Sequence, residues 1–444
     1  MRQVTRNISK LSAQLLVGWF SVISVYGADK SVGLSDLQAD WQSFSEVLVA
    51  EHDNPYFHTP KSVFLAKQQA FLSAAQTLDR NRQIVEFAKL VALVGDGHTW
   101  MPMHPIPFEG MPPGPQFRPI PVRFELFDDG LFIVGATDEY ANLIGAEVIR
   151  LGGTTVDLAI ERVMTMLPGD AVQFSRDFVP EWLMLAELLV ALEIAPDSDE
   201  IKIQVRKGNA VSDATFHPLP SDYRFDWIRS MDDGPISGAT PVVEKWVRGG
   251  KGVPMWRENF SSTFRRSELE GDIFYLQINE IRNADSVAFA DAAAQLVQAV
   301  TTEKSAKGVV IDLRLCIGGD GSLIPDFMAE VERLTDVTSI AVLTSRKTHS
   351  AGVMLVSALE QKTNAIFIGQ ATADRPNHYG ETNIFVLPRT NFPVIYASEY
   401  YQTSTSNDQR ANREPDVTVP YLSMDYFNGH DRSLERAMSL LKGN

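Results

Sequence analysis

The sequence predicts an α/β fold, with a helical region at the front, a β-rich middle and a parallel-sheet domain in the second half. Three observations carry that prediction. From residue 271 onward, short apolar runs alternate with helix-length segments, the pattern of right-handed crossovers and a largely parallel sheet. Residues 34 to 96 space their apolar side chains three and four apart, as helices do. Residues 119 to 220 instead hold short strand-like runs separated by Asp-Asp-Gly, Gly-Gly and Lys-Gly turns.

Taken in order, "LSDLQADWQSFSEVLVAEH", "VFLAKQQAFLSAAQTL" and "DRNRQIVEFAKLVALV" read as helices, the first two divided by the proline-broken stretch "DNPYFHTPKS". The run ends in "GDGHTWMP", and "PIPFEGMPPGP" is a loop, which gives a helical region over 34–110. The β-rich region, 115–220, contains the strands "IPVRFELF", "GLFIVGA", "AEVIRLGG" and "EIKIQVRKG" and one strongly apolar helix, "FVPEWLMLAELLVALEIA". Residues 221–262, rich in Gly, Pro and Ser, read as an irregular connection. In 263–444 the strands "DIFYLQI", "GVVIDLRL", "SIAVLT" and "AIFIGQ" alternate with the helices "SVAFADAAAQLVQAV", "LIPDFMAEVERL" and "SAGVMLVSALEQ". "NIFVLP" and "FPVIYASEYY" add strands after them. Sheets of this kind bind ligands beyond the carboxyl ends of their strands.

The totals narrow the function classes. The chain has 444 residues, a formal net charge of -16, 44% hydrophobic and 22% charged residues, enough apolar mass for a real core. No basic stripe occurs, so nucleic acid is not an expected partner. Arg2, Arg6 and Lys10, the apolar run "LLVGWFSVISV" and the small residues of "VYGAD" read as an export signal over 1–27, cleaved after Gly27 or Ala28. The apolar run is shorter than the ~20 residues that span a bilayer, and no membrane span is expected after signal removal. The single cysteine, Cys316, permits no intrachain disulfide. A periplasmic or secreted bacterial protein is the simplest expectation. The oligomeric state is open at this stage.

The chemistry centres on "LTSRKTHSAGVML", where a strand ends and Ser350 stands at the start of a helix. A serine there has a plain role as a helix cap, worth roughly 1 kcal/mol. It is also placed as a nucleophile. "DLRLCIGGDGS" follows a buried-looking strand and sets Gly318 beside Gly319, whose amides can face outward. Two such amides can hold an oxyanion, each worth about 3 kcal/mol. "GDGHTW" carries His98 after a tight turn, and a serine hydroxyl needs a base of that kind. Metal ligation has no signature: His52–Asp53 and Asp96–His98 are present, but no His-Glu-x-x-His or paired-Cys spacing exists. No cofactor is expected.

In combination these segments resemble the C-terminal-processing and tricorn-type serine peptidases. The resemblance rests on "GDGHT", "DLRLCIGG", the Thr-x-Ser-Ala segment Thr348–Ala351, "GQAT" with "NHYGETNIFVLP", "EPDV" and the tail "DYFNGHDRSLERAMSLL", in that order. It implies a ClpP/crotonase-like catalytic core, peptide or protein substrates, Ser350 as nucleophile and His98 as general base. It also implies an oxyanion site made by the Ala351 amide with those of Gly318 and Gly319. "LIGAEVIRLGGTTV" resembles the carboxylate-binding loop of PDZ-like domains, which capture peptide ends by strand addition. The serine–lysine branch of the family places its lysine about two dozen residues after the serine. Here Asp374 and Arg375 occupy that neighbourhood, and arginine stays protonated. The tricorn-type pattern points to an acidic partner before the Pro-Asp pair, which selects Asp408, with Glu414 as the alternative and Asp96 a third carboxylate close to His98 in sequence. One departure stands out: Cys316 replaces the asparagine of Asp-Leu-Arg-x-Asn, which puts the tightness of the oxyanion turn in question.

Two other functions remain open from the sequence. The scaffold also serves noncatalytic binding, as in the interphotoreceptor retinoid-binding proteins, so a peptide- or small-ligand-binding protein is the alternative. A different acyl-transfer chemistry on the same core is the third.

Overall fold

Three helices open the described part of the chain, α1 (Leu34–Glu51), α2 (Lys61–Ala74) and α3 (Arg80–Ala92), where the apolar spacing predicts them. The computed structural model describes residues 34–104, 112–221, 246–258, 262–284, 287–302 and 306–443. The export signal and most of the irregular connection lie outside these residues. α3 starts where the Asp79 carboxylate accepts the Arg82 N–H at 2.9 Å, satisfying an otherwise orphaned donor. Its inner face buries Ile84, Val85, Phe87, Leu90 and Val91.

The β-rich region forms one antiparallel sheet. It comprises β1 (Val122–Phe127), β2 (Gly130–Thr137), β3 (Glu147–Leu151), β4 (Thr154–Thr155), β5 (Ile201–Lys207), β6 (Ala210–Phe216) and β7 (Trp246–Arg248). The order is β1-β2-β3-β5-β6, with β4 on β3 and β7 on β2. Three helices accompany it, α4 (Val156–Met164), α5 (Val172–Trp182) and α6 (Ala186–Ala191). The apolar stretch read as one helix is therefore two. Between them the chain pairs with residues 118–120: Ile120 N–H donates to Met184 O at 2.8 Å and Ala186 N–H to Arg118 O at 2.9 Å. A segment buried on all sides carries no periodic face, so nothing in its pattern marks such a break. The expected irregular connection also contains β7 and a short helix, α7 (Met255–Glu258).

The second sheet is mixed. Its strands are β8 (Phe264–Leu269), β9 (Ile273–Ile278), β10 (Gly308–Asp312), β11 (Ser339–Thr344) and β12 (Ile366–Gly369), and β15 (Val417–Thr418) completes it. The order is β15-β12-β11-β10-β9-β8, parallel throughout except for the antiparallel edge strand β8. The crossover helices α8 (Phe289–Thr302), α9 (Ile324–Val331) and α10 (Ala351–Lys362) bury one face. The C-terminal helix α12 (Arg432–Leu441), preceded by α11 (Ser423–Asn428), closes against the other. Strands buried on both faces explain the continuous apolar runs in β9, β10 and β11.

The two strands read after this alternating run do not join the sheet. β13 (Asn377–Val386) and β14 (Pro393–Gln402) form a separate antiparallel ribbon. Its Val394, Ile395 and Tyr396 enter the core of the front helices and the antiparallel sheet. Trp100 and Ile395 exchange both backbone hydrogen bonds at 3.0 Å, which fastens the ribbon to the chain just after His98.

Candidate active site

The site lies where three neighbouring parallel strands end and the Gly95–Thr99 turn of the front half meets them. After β10 the chain is pinned by its own charges. Arg314 grips Asp312 through Nε and Nη2 and Asp431 through Nη1 and Nη2, with distances of 2.6–3.1 Å, and lies over the Trp256 ring. Asp431 in turn caps α12 by accepting the Leu434 N–H. The Asp-Leu-Arg segment thus ties the strand end to α12. After β11, buried Thr348 donates its hydroxyl to Leu313 O at 2.8 Å and accepts the Ser345 N–H at 3.0 Å. The His349 N–H donates to Cys316 O, and after β12 the Ala373 N–H donates to Thr348 O, both at 2.9 Å. Arg346, also buried, pairs with Glu125 and Asp177, and Lys347 pairs with Asp177. The turn carrying Ser350 is held from every side.

Within that frame Ser350 adopts φ 53° and ψ -127° and makes no side-chain capping bond to α10. A capping serine sits in the β region with its hydroxyl on a helix N–H. Ser350 does neither, and a non-glycine residue in this region costs about 1–3 kcal/mol. Gly318 makes the close approach possible: a Cβ there would lie 2.8 Å from Ser350 Cβ, 3.2 Å from Oγ and 3.4 Å from the Ala351 nitrogen. A Cβ at Gly319 would lie 2.2 Å from Ile281 O, so the second glycine is set by backbone packing on its other side. Ser350, Gly318 and Ala351 are therefore together, with Gly319 adjoining.

His98 is brought to the same place. Its ring stacks on that of His349 with centroids 4.3 Å apart and on that of His378 at 5.8 Å. Asp374 joins the group. Its Oδ2 accepts the Ser350 N–H at 3.0 Å and lies 3.1 Å from His349 Nε2. Ring nitrogens of His98 and His349 and an Asp374 oxygen all fall within 4.8 Å of one another. The second glycine of "GDGHT" is explained here: a Cβ on Gly97 would stand 2.4 Å from Asp374 Oδ1. His98 is 2% exposed, and neither ring nitrogen has a partner at hydrogen-bond geometry.

Burial pushes the His98 imidazole well below its ordinary pKa; His349 adds to the effect, and Asp374 and the Tyr379 backbone oppose it. Burial thus favours the neutral form of His98, the form a general base requires. Burial works to raise the Asp374 carboxyl, but His349, His98, His378 and the Ser350 N–H outweigh it and hold the group below the usual carboxylate range. Cys316 is fully buried, and its thiol is pushed up to about 12. It is inert as a nucleophile, and its small side chain lies under α10, where a Cβ on Gly352 would meet Sγ at 3.1 Å.

The acidic partners expected from the sequence are elsewhere. The Asp408 carboxylate is held by Arg410, which keeps it well below its ordinary pKa, and Arg410 also grips Glu360. No bond among the described residues joins Asp408 to His98. Glu414 is exposed on the surface. Asp96 faces away from the ring: Oδ1 accepts the His98 backbone N–H at 2.9 Å and Oδ2 meets His52 Nε2 at 3.1 Å. The carboxylate beside His98 is Asp374, in the neighbourhood where the resemblance drawn from the sequence put the lysine of a serine–lysine pair. His349, between Thr348 and Ser350, was passed over because a motif letter x carries no chemistry until the fold stacks it on His98.

No family model matches the chain, and no curated protein matches it. The solved structure of mature CPAF complexed with lactacystin aligns with it at TM-score 0.62 and 11% identity, covering 93% of this chain and 99% of that one. This likeness establishes a shared fold. The photosystem II D1 C-terminal processing protease aligns at TM-score 0.37 with 13% identity, covering 87% of this chain and 93% of that one. The tricorn protease aligns at TM-score 0.38 with 13% identity, covering 92% of this chain and 37% of that one. These last two are too distant to carry an argument.

Proposed function

We propose that the chain is an exported serine peptidase acting on peptides or proteins through an acyl-enzyme on Ser350. The observation that carries this is the backbone of Ser350, which is strained, gives the helix no capping bond and donates its N–H to Asp374, the carboxylate grouped with the buried His98. Strain of this kind persists only where the surroundings impose it, and it gathers at reactive positions. Ser350 Oγ attacks the peptide carbonyl and His98 takes its proton. The oxyanion is held by the Ala351 amide and the Gly318–Gly319 amides. The C–N bond then breaks as the leaving amine receives that proton, and water repeats the sequence on the acyl-enzyme. Asp374 orients the imidazoles and fixes the Ser350 backbone. The lysine route has no support at this site, since Lys347, the lysine nearest in sequence, is committed to Asp177 at 2.6 Å. A ClpP/crotonase-like core around the second sheet, a PDZ-like role for the antiparallel sheet and passage to the periplasm or outside the cell complete the proposal.

A fluorophosphonate probe tests it. An adduct on Ser350 that disappears in the His98→Ala variant is the expected result. Absence of any adduct on folded wild-type protein, over times that label known serine hydrolases, overturns it.

A further inference from the structure

We propose that His98, His349 and Asp374 bind a divalent metal ion of the zinc class, and that the bound ion and hydrolysis at Ser350 exclude one another. The donor set is the first ground. Two imidazole nitrogens and a carboxylate oxygen already lie within 4.8 Å of one another. Around one tetrahedral ion, at about 2.0–2.1 Å each, the same atoms stand roughly 3.3 Å apart, so side-chain adjustments of about an ångström close the set. Two histidines and one carboxylate with a fourth position left for water are a ligand set that such ions take.

The second ground is independent of the spacing. His98 is 2% exposed and neither of its ring nitrogens has a partner at hydrogen-bond geometry, while Nε2 of His349 meets Asp374 Oδ2 at 3.1 Å. Buried polar atoms in folded proteins normally find partners. Here the His98 and His349 nitrogens gather around a single carboxylate. The outer contacts that orient ligands are already in place. Asp374 accepts the Ser350 N–H at 3.0 Å, and the Ile317 carbonyl lies 3.4 Å from His349 Nδ1, which leaves Nε2 as the coordinating atom. The three ligands come from the Gly95–Thr99 turn, the turn before α10 and the loop after β12, which is why no linear spacing announces them. Exclusion rests on the peptidase chemistry proposed above: an ion on His98 occupies the lone pair that would accept the Ser350 proton.

The Ser350→Ala variant separates the two proposals, because it keeps all three ligands and performs no hydrolysis. Equilibrium dialysis of that variant against zinc, after EDTA treatment, is expected to show one ion per chain. Cobalt is expected to give the intense visible absorption of a tetrahedral nitrogen–oxygen site. His349→Ala, the least buried of the three ligand positions, is expected to weaken zinc binding by about 100-fold or more, since even outer-shell losses cost 10- to 100-fold. Absence of bound zinc in folded Ser350→Ala protein overturns the site, whatever the fluorophosphonate result. So does binding that His349→Ala and Asp374→Asn leave unchanged. In wild-type protein that labels at Ser350, saturating zinc is expected to stop labelling and EDTA to restore it; labelling that proceeds with the site filled overturns the exclusion.

Discussion

At Ser350 the backbone and the hydroxyl make opposite demands. The conformation at φ 53° belongs to glycine, but the proposed role as nucleophile needs a side chain. Replacing Ser350 with Gly removes the strain and the hydroxyl together, whereas Ala removes the hydroxyl alone. The Gly variant should therefore exceed the Ala variant in stability by about 1 kcal/mol, the strain relief being partly offset by the greater unfolded-state entropy of glycine. Urea midpoints of the two variants check this, and an Ala variant as stable as Gly would mean that the turn does not impose the strain. The sequence singles out Ser350, Gly318 and His98 because each stands at a fixed place in a turn, and the structure sets Gly318 against Ser350. Asp374 and His349 were not legible there as site residues, since a carboxylate or an imidazole in a loop declares its direction only after three strand ends have been laid side by side.

At the scale of the turn, "GDGHT" shows how one element serves a distant one. Gly97 does not lie in the left-handed region, so its lack of a side chain is not a backbone requirement. It is a clearance requirement, set by Asp374 Oδ1 at 2.4 Å from where a Cβ would stand. Gly97→Ala should push the carboxylate off the Ser350 N–H and the histidines while leaving the helices intact. The expected outcome is fluorophosphonate labelling slowed by at least ~10-fold with circular dichroism unchanged, because small misplacements of reacting groups cost about that much or more. Labelling at the wild-type rate would show that the carboxylate can yield. The same scale shows where strand character stops short of a pairing. β9 to β12 and their crossover helices carry strong, alternating patterns and were placed. The ribbon β13–β14 has equally good strand patterns, but its partner is the chain after His98, and strand character alone does not name the strand it pairs with.

Across the whole molecule, α5 connects the two halves: Asp177 holds the turn before Ser350 through Arg346 and Lys347, and Phe174 stacks on His349 at 4.5 Å. One turn further along α5, Glu181 buries Oε2 beside His104 at 3.7 Å, with the rest of its side chain partly at the surface. Burial pushes the Glu181 carboxyl up to about 8 and the His104 imidazole down to about 3, so between those values both are neutral and the contact is no ion pair. The sign of the pH dependence follows. Above its ordinary 4.5 Glu181 loses its proton in the unfolded chain but keeps it in the folded one until about 8. Over that window the folded state binds more protons, and stability falls as pH rises. His104 acts the other way: below its ordinary 6.5 the unfolded chain gains a proton that the folded one refuses, and stability falls as pH drops toward 3. Glu181→Gln removes the alkaline loss alone. Its advantage over wild type, read from urea midpoints, should grow steadily from pH 5 to pH 8 by somewhat less than ~1.4 kcal/mol per pH unit, the partial exposure of the side chain reducing the full value. Stability curves that run parallel over that range would mean that Glu181 is ionised in the folded protein and that α5 carries a charge, not a proton, at the junction of the two halves.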